Sequence, residues 1–253
     1  MEIRRGRATV IGRVAAREPD LRPLPSSALS GTRHPEGVPV HIPDGFVSPA
    51  VTVAGAVVAV AGLAVCVRRA GLDVTQRQLP LAGLAAAFFL VLGAPIIPVA
   101  VGTEGHLLGG TLAVALLGPW LGPVVITVVT VVQALFLGDG GLSTLGINVV
   151  NLALVPAAVG YPVLLGLRKV LPRRPTGTTV AAGIAAAVSV LAAAALFTAE
   201  YALGGAAGVP LRTVAISTMG VYALVAVLEG LVTALVVRGL LAVRADLVQV
   251  AHG

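Results

Sequence analysis

Apolar residues come in long runs from Phe46 onward, divided by short clusters of Gly, Pro, Arg and Asp. A run of about 20 apolar residues spans a bilayer as a helix. On that measure the chain predicts segments at roughly 47–67, 79–99, 103–118, 121–137, 144–167, 178–202 and 212–238. Pro80 enters the second, and Gly93, Pro95 and Pro98 break it. The third is short, so it spans only part of the membrane or lies buried among its neighbours. The expected fold class is all-α: a polytopic membrane protein of about seven transmembrane helices. No internal repeat and no separate soluble domain interrupts the pattern.

Composition removes the alternatives. The 253 residues are 57% hydrophobic and 11% charged, against about a quarter charged in soluble domains. Mean hydropathy is +0.99. The net charge of +6 does not point to nucleic acid, because the basic residues fall in the N-terminal stretch and in short loops without aromatic interleaving. The single cysteine, Cys66, lies in an apolar run, which excludes an internal disulfide.

Loop charge sets an expected orientation. Arg68, Arg69 and Arg77 follow segment one, Arg168, Lys169, Arg173 and Arg174 follow segment five, and Arg238 and Arg244 follow segment seven. The loops on the other side carry Glu104, Asp139 and Glu200, with Arg212 as the exception. Cationic loops stay cytoplasmic, so the C-terminus is expected inside and residue 40 outside. Residues 1–39 hold Arg4, Arg5, Arg7, Arg13, Arg17, Arg22 and Arg33 and no apolar signal core. An outside leader so basic conflicts with the same rule. The expectation is a disordered leader at 1–39 arising from a mis-annotated start, with a GTG codon at Val40 read as Met. The bundle then covers 40–245 and a C-terminal tail covers 246–253.

Chemistry concentrates where the leader meets the bundle, in Val40-His41-Ile42-Pro43-Asp44-Gly45-Phe46, and again in Thr103-Glu104-Gly105-His106-Leu107. A free amine at Val40, the main-chain nitrogen of His41 and the His41 imidazole close small chelate rings around one ion. The His106 imidazole, from the same side of the membrane, completes a four-nitrogen set. Such a set suits Ni(II), Cu(II) or Co(II), not Mg or Ca, which take oxygen. The alternative reading makes His41 a surface residue and His106 a helix-start residue bonded to the main chain. Gln133, Asn148, Asn151 and Glu229 are polar positions within apolar segments. They form either a polar shell around the metal route or interhelical hydrogen bonds. Gly138-Asp139-Gly140-Gly141 reads as a tight outside turn, since it lacks the Lys-Ser/Thr of a phosphate loop. Trp120 reads as an interfacial anchor. No hydrolase, metalloprotease or ATP-binding motif occurs.

Several ordered motifs resemble one family: His41-Ile42-Pro43-Asp44-Gly45-Phe46, Gly105-His106-Leu107-Leu108-Gly109-Gly110, Gly118-Pro119-Trp120, Val132-Gln133-Ala134-Leu135, Gly138-Asp139-Gly140-Gly141-Leu142, and Leu145-Gly146 with Asn148 and Asn151. They are similar to the CbiM/NikM family, the substrate-capturing membrane subunits of energy-coupling-factor (ECF) transporters for cobalt and nickel. The resemblance covers residues 40 to about 240. It implies a seven-helix bundle with metal ligands at Val40, His41 and His106. It also implies a coupling transmembrane subunit, ATPase subunits and a small CbiN/NikN-like subunit as partners. Co(II) or Ni(II) would be the transported substrate, with no ATP bound by this chain. The sequence departs from the family at Glu104, at Leu152, at Tyr222 and in the missing Asn before Pro98-Val99, which touches metal preference more than the four nitrogens. Two other classes stand beside this one: an intramembrane metalloenzyme using His106 with Glu104 or Glu229, and a permease for an apolar small molecule.

Overall fold

Proline and glycine decide where the helices stop. The computed structural model describes residues 41–73, 78–94, 97–100 and 103–251. The expected leader at 1–39 and Val40 lie outside the described residues. Helix α1 runs Pro49–Asp73 and α2 runs Gln78–Gly93. Past Gly93, among the described residues, β1 (Ile97–Ala100) pairs antiparallel with β2 (Thr103–Gly105), Ile97 opposite Gly105. The second apolar segment was expected to stay helical to 99. Pro95 and Pro98 cannot donate to a helical ladder, and β1 takes its place.

Helix α3 spans Gly110–Val132, but Gly118 inside it has φ 83 and ψ 171, which no helix contains. A Cβ on Gly122 would lie 2.9 Å from the Val114 nitrogen. Residues eight apart in a straight helix are about 12 Å apart, so the chain doubles back at Gly118, with Pro119 opening the second half. The third and fourth predicted segments are the two arms of this turn. The first arm begins at Gly110 rather than Thr103, because 103–105 is strand. It is the most buried part of the molecule, with Leu112, Ala113 and Ala115 fully buried.

Helix α4 (Leu145–Val149) continues through wider, π-type turns at Val150–Leu154 and Pro156–Gly160 into α5 (Tyr161–Val170). Pro156 has no N–H for the Leu152 carbonyl, and its ring pushes that turn open. The displaced carbonyl faces Gly110, where a Cβ would sit 2.7 Å from it. Helices α6 (Pro175–Gly204) and α7 (Leu211–Val243) cross at Gly183 and Gly230. A Cβ on either would meet the other's carbonyl oxygen within 2.9 Å, the close approach that small residues allow in membranes. The tail is docked: Val248 and Val250 are buried, and the Arg168 guanidinium donates to the Val250 carbonyl.

The outcome is an all-α membrane protein. Among the described residues five helical stretches are long and apolar enough to cross a bilayer, at 49–71, in the second arm of 110–137 (after Gly118), and at 145–170, 175–204 and 211–243, and Leu79–Gly93 is a shorter apolar helix.

Candidate metal centre

The segment around His41 is pinned from three sides. The Ile42 N–H donates to Asn148 Oδ1 at 2.9 Å, and Asn148 Nδ2 donates back to the Ile42 carbonyl at 3.2 Å. The Gly141 N–H and the Thr144 hydroxyl reach that same carbonyl. Asp44 accepts from the Leu142 and Ser143 N–H groups and from the Ser143 hydroxyl. These bonds hold its carboxyl below the usual carboxylate range. Phe46 stacks near Phe197 and Tyr201, and the Ser48 N–H donates to the Gly204 carbonyl. The His-Ile-Pro-Asp-Gly-Phe motif is therefore a strap between the 138–144 loop and the end of α6.

The loop can grip His41 because it is glycine-rich. Gly138 and Gly140 have φ 67 and 90, where a side chain is strained. A Cβ on Gly140 would also meet His41 Cβ at 2.9 Å.

His106 follows β2. Its ring is fixed by a bond between Nδ1 and the Leu107 carbonyl, 3.0 Å. The turn after it is fixed from α7: buried Glu229 accepts from the Leu108 N–H at 2.9 Å and the Gly109 N–H at 2.6 Å. The two rings meet with centroids 4.9 Å apart. Both are buried, and neither Nε2 has a hydrogen-bond partner among the described residues. A cavity of about 10 Å³, lined in part by His41, His106 and Gln133, adjoins them. One water-sized sphere fills it.

A third group joins them. Asp139 places carboxylate oxygens 3.8 Å from His41 Nδ1 and 3.4 Å from His106 Nε2, while its main-chain carbonyl accepts from His41 Nδ1 at 3.1 Å. One donor atom from each of His41, His106 and Asp139 lies within 4.8 Å of the others. Burial, reinforced by the neighbouring His106, pulls the His41 pKa down to about 4. Burial acts the same way on His106, but the Asp139 carboxylate and the Leu107 carbonyl outweigh it and raise that pKa. Asp139 stays below its ordinary value despite burial, because both imidazoles favour the anion.

The predicted residues separate into roles. His41 and His106 come together; Val40 lies outside the described residues. Asn148 and Glu229 hold the main chain beside each histidine. Gln133 is buried beside Gly93 and lines the same small cavity as the histidines. Asn151 turns away, donating to Glu200 Oε2 at 2.8 Å. Glu200 itself lies within α6 rather than in an outer loop. Trp120 is partly exposed beneath the Arg69 guanidinium, 5.9 Å from its ring centre. Sequence reasoning took Asp139 for a turn residue only; its signal was an acid between glycines facing two unattached histidines.

These features define a helical membrane protein with two buried imidazoles and a carboxylate whose donor atoms could hold a metal cation. Residues 41–247 match the family described as "Cobalt uptake substrate-specific transmembrane region", CbiM, and the chain belongs to that family. It is 36% identical over 180 residues to the fused nickel transport protein NikMN of Rhodobacter capsulatus, covering 68% of this chain and 51% of that one. It is 35% identical over 145 residues to the cobalt transport protein CbiM of Geobacter sulfurreducens, covering 56% of this chain and 40% of that one. The crystal structure of a truncated transition metal transporter superposes with a TM-score of 0.70 at 30% identity, covering 80% of this chain and 98% of that one. The function is uptake of a transition metal, cobalt or nickel.

Proposed function

We propose that this chain is the substrate-capturing subunit of an ECF transporter, taking Co(II) or Ni(II) on the outer side of the cell membrane and releasing it inward. The observation that carries this reading is the pair of buried imidazoles, ring centroids 4.9 Å apart, whose Nε2 atoms make no hydrogen bond among the described residues. His41 and His106 hold the ion. The main-chain nitrogen of His41 and the amine of residue 40 complete the set when the native chain begins there. That chelate closes through His41 Nδ1, the atom the Asp139 carbonyl engages, so loading opens this bond. Asn148 and Glu229 keep both ligands in place, with Gln133 beside them.

Nothing in this reading gives the chain a catalytic step or an ATP site. Energy comes from partner ATPase subunits through a coupling membrane subunit, with a small CbiN/NikN-like subunit alongside. The arginine-rich end faces the cytoplasm, in keeping with loop charge. Intrinsic affinity does not select the metal, because Cu(II) outranks both at nitrogen sites; site geometry and supply do.

Metal analysis of the purified protein tests this. One nickel or cobalt per chain is expected, lost in His41→Ala and in His106→Ala. Retention of metal by both variants overturns the site. Intact mass of the natively expressed chain tests the residue-40 amine separately.

A further inference from the structure

Four cations meet around one cavity at the end of the bundle away from the histidines. Arg168 and Lys169 lie in the last turn of α5, and Arg173 and Arg174 lead into α6. All four line a cavity of about 610 Å³ where α5, α6 and α7 meet. Among the described residues no acidic side chain lines it. Lys169, Arg173 and Arg174 are exposed and enter no ion pair among those residues. Arg168 is tied down by its bond to the Val250 carbonyl.

Helix electrostatics explains only half of this cluster. Cations in the last turn of a helix offset its dipole, which accounts for Arg168 and Lys169. The dipole of α6 disfavours the other two, because Arg174 is its N-cap residue and makes no side-chain bond to it. Loop charge puts cations on one side of a membrane but does not gather them around one hollow. The turn is rigid as well: a Cβ on Gly177 would run into the Pro172 carbonyl, so α6 starts packed against the turn. Like charges held together beside a helix N-terminus are relieved by an anion between them. The hollow is also layered. Leu165 lies one turn before Lys169 in α5, Thr178 lies one turn after Arg174 in α6, and Leu241 lines it from α7. A turn is about 5.4 Å, so the cations stand at the rim with apolar side chains a turn deeper. Among the described residues no aromatic ring lines it to stack a nucleotide base.

We propose that this cavity binds an anionic phospholipid, with its phosphate on the four cations and the start of its acyl chains on Leu165 and Leu241. A free phosphate would use the rim alone; a phospholipid uses both layers. Four cations suit two phosphates, so a diphosphatidyl lipid fits best. Its binding ties the α5–α6 turn to α7 at the membrane surface. The inference is independent of the metal site.

The full chain is purified in lipid-free dodecyl maltoside and offered tetraoleoyl cardiolipin, dioleoyl phosphatidylcholine or inorganic phosphate. Native mass spectrometry counts bound lipid and gives its affinity, and the melting temperature is read in parallel. The expected result is one cardiolipin per chain, bound at least about tenfold tighter than phosphatidylcholine, with a raised melting temperature. Lys169→Gln and Arg173→Gln should each weaken cardiolipin binding about fivefold, and the double variant about twenty-fivefold. Arg68→Gln, an exposed arginine of α1 outside the cavity, should bind as wild type does. Leu241→Trp fills the cavity, keeps every charge and should lose the lipid. A melting temperature within about 2 °C of wild type without lipid establishes that a variant is folded; if Leu241→Trp is not, the glutamine variants decide. Equal binding of phosphatidylcholine overturns the proposal. So does an effect of Arg68→Gln as large as that of Arg173→Gln, because attraction would then be spread over the surface. Inorganic phosphate that raises the melting temperature as much as cardiolipin overturns the lipid assignment in favour of a soluble phosphate.

Discussion

The two ends of the bundle treat charge in opposite ways. Helix α6, with 30 residues, is about 45 Å long and separates them. At the end where α6 finishes, His41, His106, Asn148 and Glu229 are buried and tied to the main chain, and the cavity beside the histidines is about 10 Å³. At the other end Arg168, Lys169, Arg173 and Arg174 line an open cavity of about 610 Å³. A bare cation needs protein atoms to replace its water, so its site must be small, rigid and furnished with lone pairs. Arg168 is tied to the Val250 carbonyl, but the exposed Lys169, Arg173 and Arg174 need only water and lipid phosphate. The same difference ranks the effects of substitution: large where polar groups are buried and committed, small where they are solvated.

Glu229→Ala tests the buried end most severely. It leaves the Leu108 and Gly109 N–H groups without an acceptor, and Glu229 is 3% exposed. Each buried orphan costs roughly 1–3 kcal/mol, so about 2–6 kcal/mol of stability is lost. Reversible denaturation in detergent measures this, and Glu229→Gln, which retains an acceptor oxygen, loses less. A Glu229→Ala protein as stable as wild type would refute the contrast between the ends. Asn148→Ala strands one donor, the Ile42 N–H, while the Ile42 carbonyl keeps Gly141 and Thr144. Its expected cost is about 1–3 kcal/mol, with a fall in metal affinity of roughly 10–100-fold as the His41 strap loosens.

These roles were unevenly legible in the sequence. His41 and His106 stood out because residue 40 and His41 offer chelating nitrogens, both histidines begin segments on one side of the membrane, and the motifs around them resemble the CbiM/NikM family. Asp139 did not, because His41 lies 98 residues away in the chain, His106 is on another element, and turns often carry Asp. Glu229 was visible as an expensive mid-helix carboxylate, but its partners are main-chain amides, which leave no trace in a sequence. Asn148 and Asn151 shared a predicted face yet serve different neighbours, since α6 runs on past Glu200 and brings that carboxylate to Asn151. The second predicted segment ran too far because β1 is as apolar as a helix, and apolar runs alone do not separate the two. Gly118-Pro119 correctly announced a stop; that the chain folds back there rests on tertiary packing.

Proton competition sharpens the contrast next. The His41 pKa is depressed to about 4, so His41 is neutral at pH 7; the His106 pKa is raised above its ordinary 6.5. Proton competition at His106 therefore sets in at a higher pH than at His41. Co(II) affinity should fall as pH drops below the His106 pKa, by about tenfold per pH unit for each proton displaced. A further loss sets in near pH 4, where His41 protonates. Calorimetric titrations from pH 8 to about 5 cover the first limb, and affinity that rises on acidification would contradict the assignment.

The smallest effect belongs to the other end. Arg174 is exposed, with its main-chain carbonyl, rather than its side chain, accepting the Thr178 N–H at the start of α6. Arg174→Ala removes a solvated charge and leaves that turn intact. Surface changes of this kind move stability little, so the melting temperature should stay within about 2 °C. Co(II) affinity should stay within about twofold, since salt screens charges over about 10 Å, far less than the length of α6. Parallel calorimetry on Arg174→Ala and Asn148→Ala makes the comparison direct. A drop in Arg174→Ala as large as that in Asn148→Ala would mean that the ends are coupled through α6, and that the arginines help set the histidine site.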